Sequence, residues 1–126
     1  MLEIKKLDHL VLTVHDIQKT CAFYHDYLGM TIVQSLEGRV ELHFGQQKIN
    51  LHQLGHEFQP KAKYPTPGSA DLCFITDDSV DELLKEFHKK NLPVVLGPID
   101  RNGAEGKIRS IYVRDPDQNL IEISNY

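Results

Sequence analysis

Two stretches of alternating apolar and polar residues, at opposite ends of the chain, predict β-strands that carry His9 and Glu122 among their polar residues. In residues 7–14 the apolar side chains at 10, 12 and 14 share one face and His9 lies on the other. Residues 111–114 and 120–123 flank a turn sequence with Pro116 and therefore predict a β-hairpin. Glu122 points away from its two isoleucine neighbours, and a covered carboxylate there requires a partner.

The remaining pattern predicts two helices, each followed by three strands. Asp16 precedes apolar residues at helical spacing, and Gly29 is placed to end that helix. Ser79 and Glu82 form a capping box at the start of the second helix. The other predicted strands are residues 31–34, 39–44, 48–53, 70–76, 93–96, 107–113 and 119–124. Segments 55–68 and 100–106 lack a pattern and predict loops.

The order β-α-β-β-β thus occurs twice, which predicts a single domain with an internal repeat over residues 1–66 and 67–126. A shift of 62 residues places position 9 over position 71, and the order of the strands makes the fourth strand the counterpart of the eighth. Polar side chains then lie opposite the apolar face of four related strands: His9, Asn50 or His52, Asp71 and Glu122. This relation favours one convergent site. The alternative is a satisfied core histidine and a set of solvent-facing strand residues.

Composition excludes several functional classes. A chain of 126 residues with 40% hydrophobic residues is one ordinary globular domain. The formal net charge is −4 and no basic stripe occurs, which argues against nucleic acid binding. No apolar run approaches a membrane span and the N-terminus lacks a signal-peptide pattern. Cys21 and Cys73 are lone cysteines in patterned segments, so we expect reduced thiols and a cytoplasmic protein.

Three sequence patterns resemble the vicinal oxygen chelate superfamily, which contains glyoxalase I, fosfomycin- and bleomycin-resistance proteins and extradiol dioxygenases. They are D-H-L-V-L-T-V near the start, F-Y-H-D-Y-L-G-M at the end of the first helix and D-P-D-Q-N-L-I-E-I at the end. The last is similar to a family pattern in which glycine usually stands at the position of Gln118. The resemblance covers essentially the whole chain and is closest to small glyoxalase-domain proteins of the lactoylglutathione-lyase-like type.

The resemblance implies an α+β fold of two paired βαβββ modules, in which a curved eight-stranded sheet surrounds a central cavity and the helices lie outside. It also implies metal ligands on the first, fourth, fifth and eighth strands. His9 and Glu122 match the family pattern, whereas Asp71 stands where most members have histidine. Asn50 stands where glyoxalase I has a carboxylate or amide, with His52 on the same face. The expected ligands are His9, His52, Asp71 and Glu122, with Asn50 as the alternative to His52.

Such a donor set suits Zn²⁺, Ni²⁺, Mn²⁺, Co²⁺ or Fe²⁺ with open water positions. The metal would polarise a substrate that offers adjacent oxygens. Glu122 and Asp71 are the expected catalytic residues, the first mainly as a ligand and the second as a base. Tyr112 and Arg114 share a strand face and are expected to bind substrate, although a solvated arginine is an equal alternative.

Other polar residues are less informative. Lys61 and Tyr64 lie on the long loop and could cover the site or simply be solvated. Cys73 is predicted on the same strand face as Asp71. It is expected either to line the cavity or to be a buried thiol without a chemical role. His43, which shares the parity of Glu41, is predicted to be exposed.

The leading interpretation is a metal-dependent glyoxalase-like lyase or isomerase with a small oxygen-rich substrate. The second is a protein that sequesters a small molecule such as an antibiotic without metal, and an intermediate one is fosfomycin-type epoxide opening. Extradiol dioxygenase chemistry is less favoured, because it requires two histidines and one carboxylate on iron. We expect a homodimer, because members of the family this size usually dimerise and a second chain could cover the sheet edges that the modules leave exposed.

Overall fold

The two predicted βαβββ halves form two units in the computed structural model, which describes residues 1–126. The units are Met1–Pro67 and Gly68–Tyr126. The first contains β1 (His9–Val14), α1 (Ile17–Asp26), β2 (Thr31–Gln34), β3 (Val40–Phe44) and β4 (Gln47–Gln53). The second contains β5 (Asp71–Ile75), α2 (Val80–Lys89), β6 (Leu96–Gly103), β7 (Gly106–Arg114) and β8 (Leu120–Asn125). The α+β class with two βαβββ modules is confirmed.

The first unit is a four-stranded mixed sheet in the order β1-β4-β3-β2, with β1 and β4 parallel and the other pairs antiparallel. Its apolar face is buried together with Tyr24 of α1. Asp16 caps α1 by accepting a hydrogen bond from the Lys19 amide at 3.0 Å. Gly29 follows the helix with φ of +68°, a conformation that favours glycine. Burial of the apolar face is what stabilises this unit.

The second unit repeats the arrangement with the order β5-β8-β7-β6, and β5 and β8 are parallel. Its buried apolar side chains include Ile111 and Ile121 from the sheet and Phe87 from α2. The Ser79 hydroxyl caps α2 by accepting from the Glu82 amide at 3.4 Å. The eight strands therefore lie in two four-stranded sheets, which are not closed. Neither helix has the length and apolar character needed to cross a membrane.

The prediction for β6 is wrong in position. Residues 93–96 were expected to form the strand and 100–106 a loop, but β6 runs over Leu96–Gly103 and pairs with β7 through a tight hairpin. The register shifts between Leu96 and Ile99. β6 is an edge strand whose residues 100–102 are exposed, and charged side chains are common there. Backbone hydrogen bonds to β7 hold β6 in the sheet, and its side chains do not alternate between apolar and polar. The sequence pattern therefore does not predict this strand.

Candidate metal and substrate site

The parallel pairing of β1 with β4 brings three predicted donors onto one face of the first sheet. His9 pairs with Lys48, Val11 with Asn50, and Thr13 with His52. Paired residues in a ladder share a face, so this face is opposite the buried apolar one. We refer to it as the first polar face, which carries His9, Asn50 and His52.

His9 is held by the residue that precedes it. Its side chain is 45% exposed, and Nδ1 lies 2.7 Å from Oδ2 of Asp8. The hydrogen bond with His9 lowers the pKa of Asp8 below its usual value. A ring that donates from Nδ1 to a carboxylate keeps the lone pair of Nε2 for a metal. The pair is thus arranged as many metal-binding histidines are.

His52 is buried in a setting that keeps it neutral. It is 6% exposed, its Nδ1 has no hydrogen-bond partner, and its ring meets the edge of Phe58 at 5.5 Å between centroids. Burial lowers the pKa of His52, and the charge of Arg39, whose guanidinium lies over Phe58 at 4.4 Å, adds to this. Oδ1 of Asn50 is also buried without a partner. Such atoms are uncommon in proteins, and a bound cation or ligand would supply the missing partner.

A charged cluster on β3 and β4 lies beside these donors and was not identified from the sequence. Glu41, the ladder partner of Asn50, accepts a hydrogen bond from Lys48 Nζ at 2.7 Å and lies 2.8 Å from His43 Nε2. Lys48 first and His43 second lower the pKa of Glu41. The His43 side chain is 42% exposed, and its contact with Glu41 places the ring beside that carboxylate. The available signal in the sequence was the alternation of Glu41 and His43 with apolar residues, which places both on one face of β3.

In the second unit, the register of β5, β8 and β7 creates a corresponding surface. Cys73 pairs with Glu122, which pairs with Tyr112, and Ser110 pairs with Ser124. These side chains share the face opposite the buried isoleucines. We refer to it as the second polar face, which carries Asp71, Cys73, Ser110, Tyr112, Glu122 and Ser124.

Glu122 is tied to two serines on this face. Ser110 Oγ donates to Oε2 of Glu122 at 2.6 Å, and Ser124 Oγ lies 2.7 Å from Ser110 Oγ and 3.4 Å from Oε2. The Cys73 thiol is 3.4 Å from Ser124 Oγ, and partial burial raises its pKa. The hydroxyls of two fully buried serines therefore approach one oxygen of the carboxylate. Neither serine was identified from the sequence, where serine in a strand carries no distinctive signal.

The expected substrate residues have different surroundings. Tyr112 is buried, and its hydroxyl accepts from Nε of Arg101 at 3.0 Å. Arg114 is exposed and donates to the carbonyl of Gln118, in its own turn, at 3.3 Å. Asp71 is exposed at the start of β5. Arg101 was overlooked because it falls within the segment predicted as a loop.

The long loop gives a mixed picture. Lys61 is paired with Glu57 at 3.9 Å, and Tyr64 is exposed. No three His, Cys, Asp or Glu side chains come together as a metal-ligand cluster in this structure. The donors are therefore distributed over the two polar faces.

The turn that carries the most specific sequence pattern has a structural function. Asp115 is buried and accepts from the amides of Asp117 and Asn119 at 2.9 and 3.0 Å. Asn119 donates to the second Asp115 oxygen at 2.8 Å and accepts from the Ala70 amide at 2.8 Å. The turn thereby ties the start of β5 to β8, and Gln118 within it has φ of +70°.

Comparison with known proteins assigns the family. Residues 6–123 match the model of the glyoxalase/bleomycin resistance protein/dioxygenase superfamily. The chain is 56% identical to the glyoxalase domain-containing protein RDO1 of Mycosarcoma maydis, over 99% of this chain and 70% of that protein. It is 54% identical to the virulence protein STM3117 of Salmonella typhimurium, over 98% of this chain and 85% of that protein.

Solved structures agree with this assignment. The crystal structure of STM3117 superposes with a TM-score of 0.97 over 99% of both chains. More distant relatives include the glutathione transferase FosA of Serratia marcescens, 24% identical over 95% of this chain and 80% of that protein. Another is the bleomycin resistance protein of Geobacillus stearothermophilus, which is 30% identical over 87% of this chain and 89% of that protein. The chain belongs to the glyoxalase/bleomycin resistance protein/dioxygenase superfamily.

Proposed function

We propose that this protein is a metal-dependent lyase or isomerase of the glyoxalase type. Its substrate would be a small oxygen-rich molecule that binds a divalent ion through two adjacent oxygens. The observation that carries the proposal is the imidazole of His52, which is buried with Nδ1 unpartnered and whose pKa is lowered by that burial. A neutral imidazole is the form that binds metal.

The donor set fits a divalent ion. His9 and His52 would supply nitrogen, and Asp71 and Glu122 oxygen, with Asn50 as the alternative on β4. This mixture suits Zn²⁺, Ni²⁺, Mn²⁺, Co²⁺ or Fe²⁺. The strand pairing favours Asn50 as the counterpart of Glu122. Val11 pairs with Asn50, and Cys73, which is the residue equivalent to Val11 in the second repeat, pairs with Glu122. His52 lies two residues further along the same face, so both remain within the proposal.

The chain's own residues would divide the chemistry between them. When bound, the metal supplies Lewis acidity towards the substrate oxygens. Glu122 would act mainly as a ligand, and Asp71, which is exposed, as the base that moves a proton between neighbouring carbons. Tyr112 would orient the substrate through its hydroxyl, with Arg101 and Arg114 available for a substrate anion.

We propose that the site is completed in a homodimer, with donors from two copies. This explains why no ligand cluster forms within one chain. It also gives a role to exposed apolar residues of the edge strands, among them Val11 and Ile75. Cys21 and Cys73 are both free thiols, which suits the cytoplasm.

Mixed dimers test this arrangement. His9→Ala and Glu122→Ala subunits are refolded together, and metal bound per dimer is compared with that of each variant alone. Sites shared between copies restore binding at about one quarter of all sites, because half of the dimers are mixed and one of their two sites is intact. No restoration in dimers of demonstrated mixed composition contradicts shared sites.

A second candidate function is sequestration of a small molecule such as an antibiotic without metal, and one relative is named a bleomycin resistance protein. Arg39 stacked on Phe58 favours it, because an aromatic surface beside a cation suits a flat polar ligand. Fosfomycin-type epoxide opening is an intermediate alternative, suggested by the FosA relative.

Metal content distinguishes these candidates. The purified protein is stripped and reloaded with Mn²⁺, Ni²⁺, Co²⁺, Fe²⁺ or Zn²⁺, and binding is measured by elemental analysis and calorimetry. We expect one ion per chain in the wild type, loss in His9→Ala and Glu122→Ala, and no loss in the control His88→Ala, which alters an exposed residue of α2. Turnover of 2-oxoaldehyde adducts and epoxides is then screened. A folded wild type that binds none of these ions would exclude the enzyme as proposed and leave sequestration.

A further inference from the structure

We propose that Ser110 and Ser124 are positioning residues that orient Glu122 so that only one of its carboxylate oxygens faces the metal. The inference deepens the proposed function and rests on it. Both serines are fully buried, Ser110 in the middle of β7 and Ser124 near the end of β8, where an apolar residue would be the ordinary choice. Their hydroxyls meet at 2.7 Å, and the shortest contact of the cluster, 2.6 Å, is from Ser110 to Glu122.

The supply of protons gives this cluster a direction. A carboxylate only accepts hydrogen bonds, so the single Ser110 proton points to Oε2 of Glu122. The Ser124 proton has two acceptors within reach, Ser110 Oγ at 2.7 Å and Oε2 of Glu122 at 3.4 Å, and the Cys73 thiol lies 3.4 Å from Ser124 Oγ. Both hydroxyls are therefore directed towards the carboxylate, that of Ser110 directly and that of Ser124 directly or through Ser110. Hydrogen bonds linked in this way strengthen one another by polarisation.

The consequence is that the two oxygens of Glu122 are not equivalent. Both serine hydroxyls contact Oε2, at 2.6 and 3.4 Å, and neither contacts Oε1. A charge-assisted bond of this length restricts rotation of the carboxylate. Glu122 would therefore hold a metal through Oε1, with the rotation of its carboxylate already restricted.

The first unit provides an internal contrast. Asn50 is the ladder counterpart of Glu122, and its Oδ1 is buried without a partner. The carboxylate next to it, that of Glu41, is engaged by Lys48 and His43. A serine support therefore exists only on the second polar face, as expected if it serves Glu122 and is not a general feature of this fold.

Co²⁺ alone is the probe, because its visible absorption reports coordination as well as occupancy. We expect Ser110→Ala to weaken Co²⁺ binding about 10- to 100-fold, the usual effect of losing a residue that orients a ligand. The absorption bands should also shift, because a released carboxylate can bind through both oxygens. Ser110→Thr, which keeps the hydroxyl, should recover most of the affinity.

A double-mutant comparison separates positioning from general damage. Glu122→Ala loses stoichiometric binding, so its residual weak affinity is titrated with Co²⁺ in excess; in that background Ser110→Ala should weaken Co²⁺ binding no further, because its effect passes through the missing carboxylate. Ser79→Ala is the matched control: it removes the cap of α2 and lowers stability, and it should leave Co²⁺ affinity unchanged. Ser124→Ala should reproduce the loss in a smaller degree and replaces Ser110→Ala if that variant does not fold.

The outcomes distinguish this inference from the proposed function. If the wild type does not bind Co²⁺ or the other ions, the metal centre is wrong and the inference falls with it. If the wild type binds Co²⁺ but Ser110→Ala has no effect, or has the same effect with and without Glu122, only the positioning role is overturned.

Discussion

Oδ2 of Asp8 lies 2.7 Å from Nδ1 of His9, so two residues adjacent in the chain form a carboxylate–imidazole pair. Both side chains are largely exposed, which makes the contact of little value for stability. Its effect is on the ring, because a donor at Nδ1 leaves Nε2 unprotonated and fixes the orientation of the imidazole. The contribution of Asp8 is therefore to orient the imidazole of His9 for a ligand at Nε2.

We expect Asp8→Asn to weaken metal binding about 10-fold, because the neutral amide oxygen accepts from Nδ1 of His9 more weakly than the carboxylate does. The free energy of unfolding should change little, since the pair is exposed. Calorimetric titration with the metal and urea unfolding measure the two effects. Glu3→Gln, which breaks the exposed pair with Lys5, is the control. Unchanged affinity in Asp8→Asn would show that the carboxylate does not orient the ring.

The cluster around Glu41 predicts a pH dependence of stability. Its pKa in the folded protein is below the ordinary 4.5, first because of Lys48 and then because of His43. A carboxylate with a lowered pKa stabilises the fold above the unfolded value, and this contribution is lost as the pH falls from about 4.5 through the folded pKa.

Lys48→Met removes the larger cause, so we expect a shallower loss of the free energy of unfolding between about pH 5 and pH 3 than in the wild type. Urea unfolding at several pH values provides the measurement. Lys85→Met, which removes an exposed partner of Glu82, should keep the wild-type slope. A variant at position 48 with the same slope as the wild type would refute the assignment.

Gly97 allows the β6 backbone to approach β7. It has φ of +109°, and a Cβ at this position would lie 2.4 Å from the carbonyl oxygen of Ser110. We expect Gly97→Ala to cost more than about 3 kcal/mol, from strained φ and a backbone clash together. Gly106→Ala is the control, with φ of +135° and no atom within 4 Å, and should cost only about 1–2 kcal/mol. Equal losses in thermal or urea unfolding would contradict the clash.

Gln118 occupies a left-handed conformation, with φ of +70°, in the turn before β8. A side chain costs about 1–2 kcal/mol there and glycine does not, although glycine adds entropy to the unfolded chain. Gln118→Gly should therefore stabilise the protein by about 0.5 kcal/mol. Gln18→Gly, within α1, should instead destabilise it by about 1 kcal/mol. Destabilisation by Gln118→Gly would indicate that its side chain makes a compensating contact.

Local chemistry made much of the fold predictable. The caps Asp16 and Ser79 act on amides three residues away, and period-two alternation marks the buried face of a strand without knowledge of its neighbours. The repeated βαβββ order and the α+β class follow from such signals. β6 is the exception, because an exposed edge strand is held by its backbone and leaves no alternation to detect.

The candidate site was predictable only in part. Parity assigned His9, Asn50, His52 and Glu122 to polar strand faces, since the direction of a side chain along a strand is a local property. Which side chains touch depends on the register between strands, and long-range pairing sets that register. The contact of Ser110 with Glu122 and that of Arg101 with Tyr112 each join different strands. Only the tertiary structure could decide them, because no spacing along the chain encodes which residue faces which across a sheet.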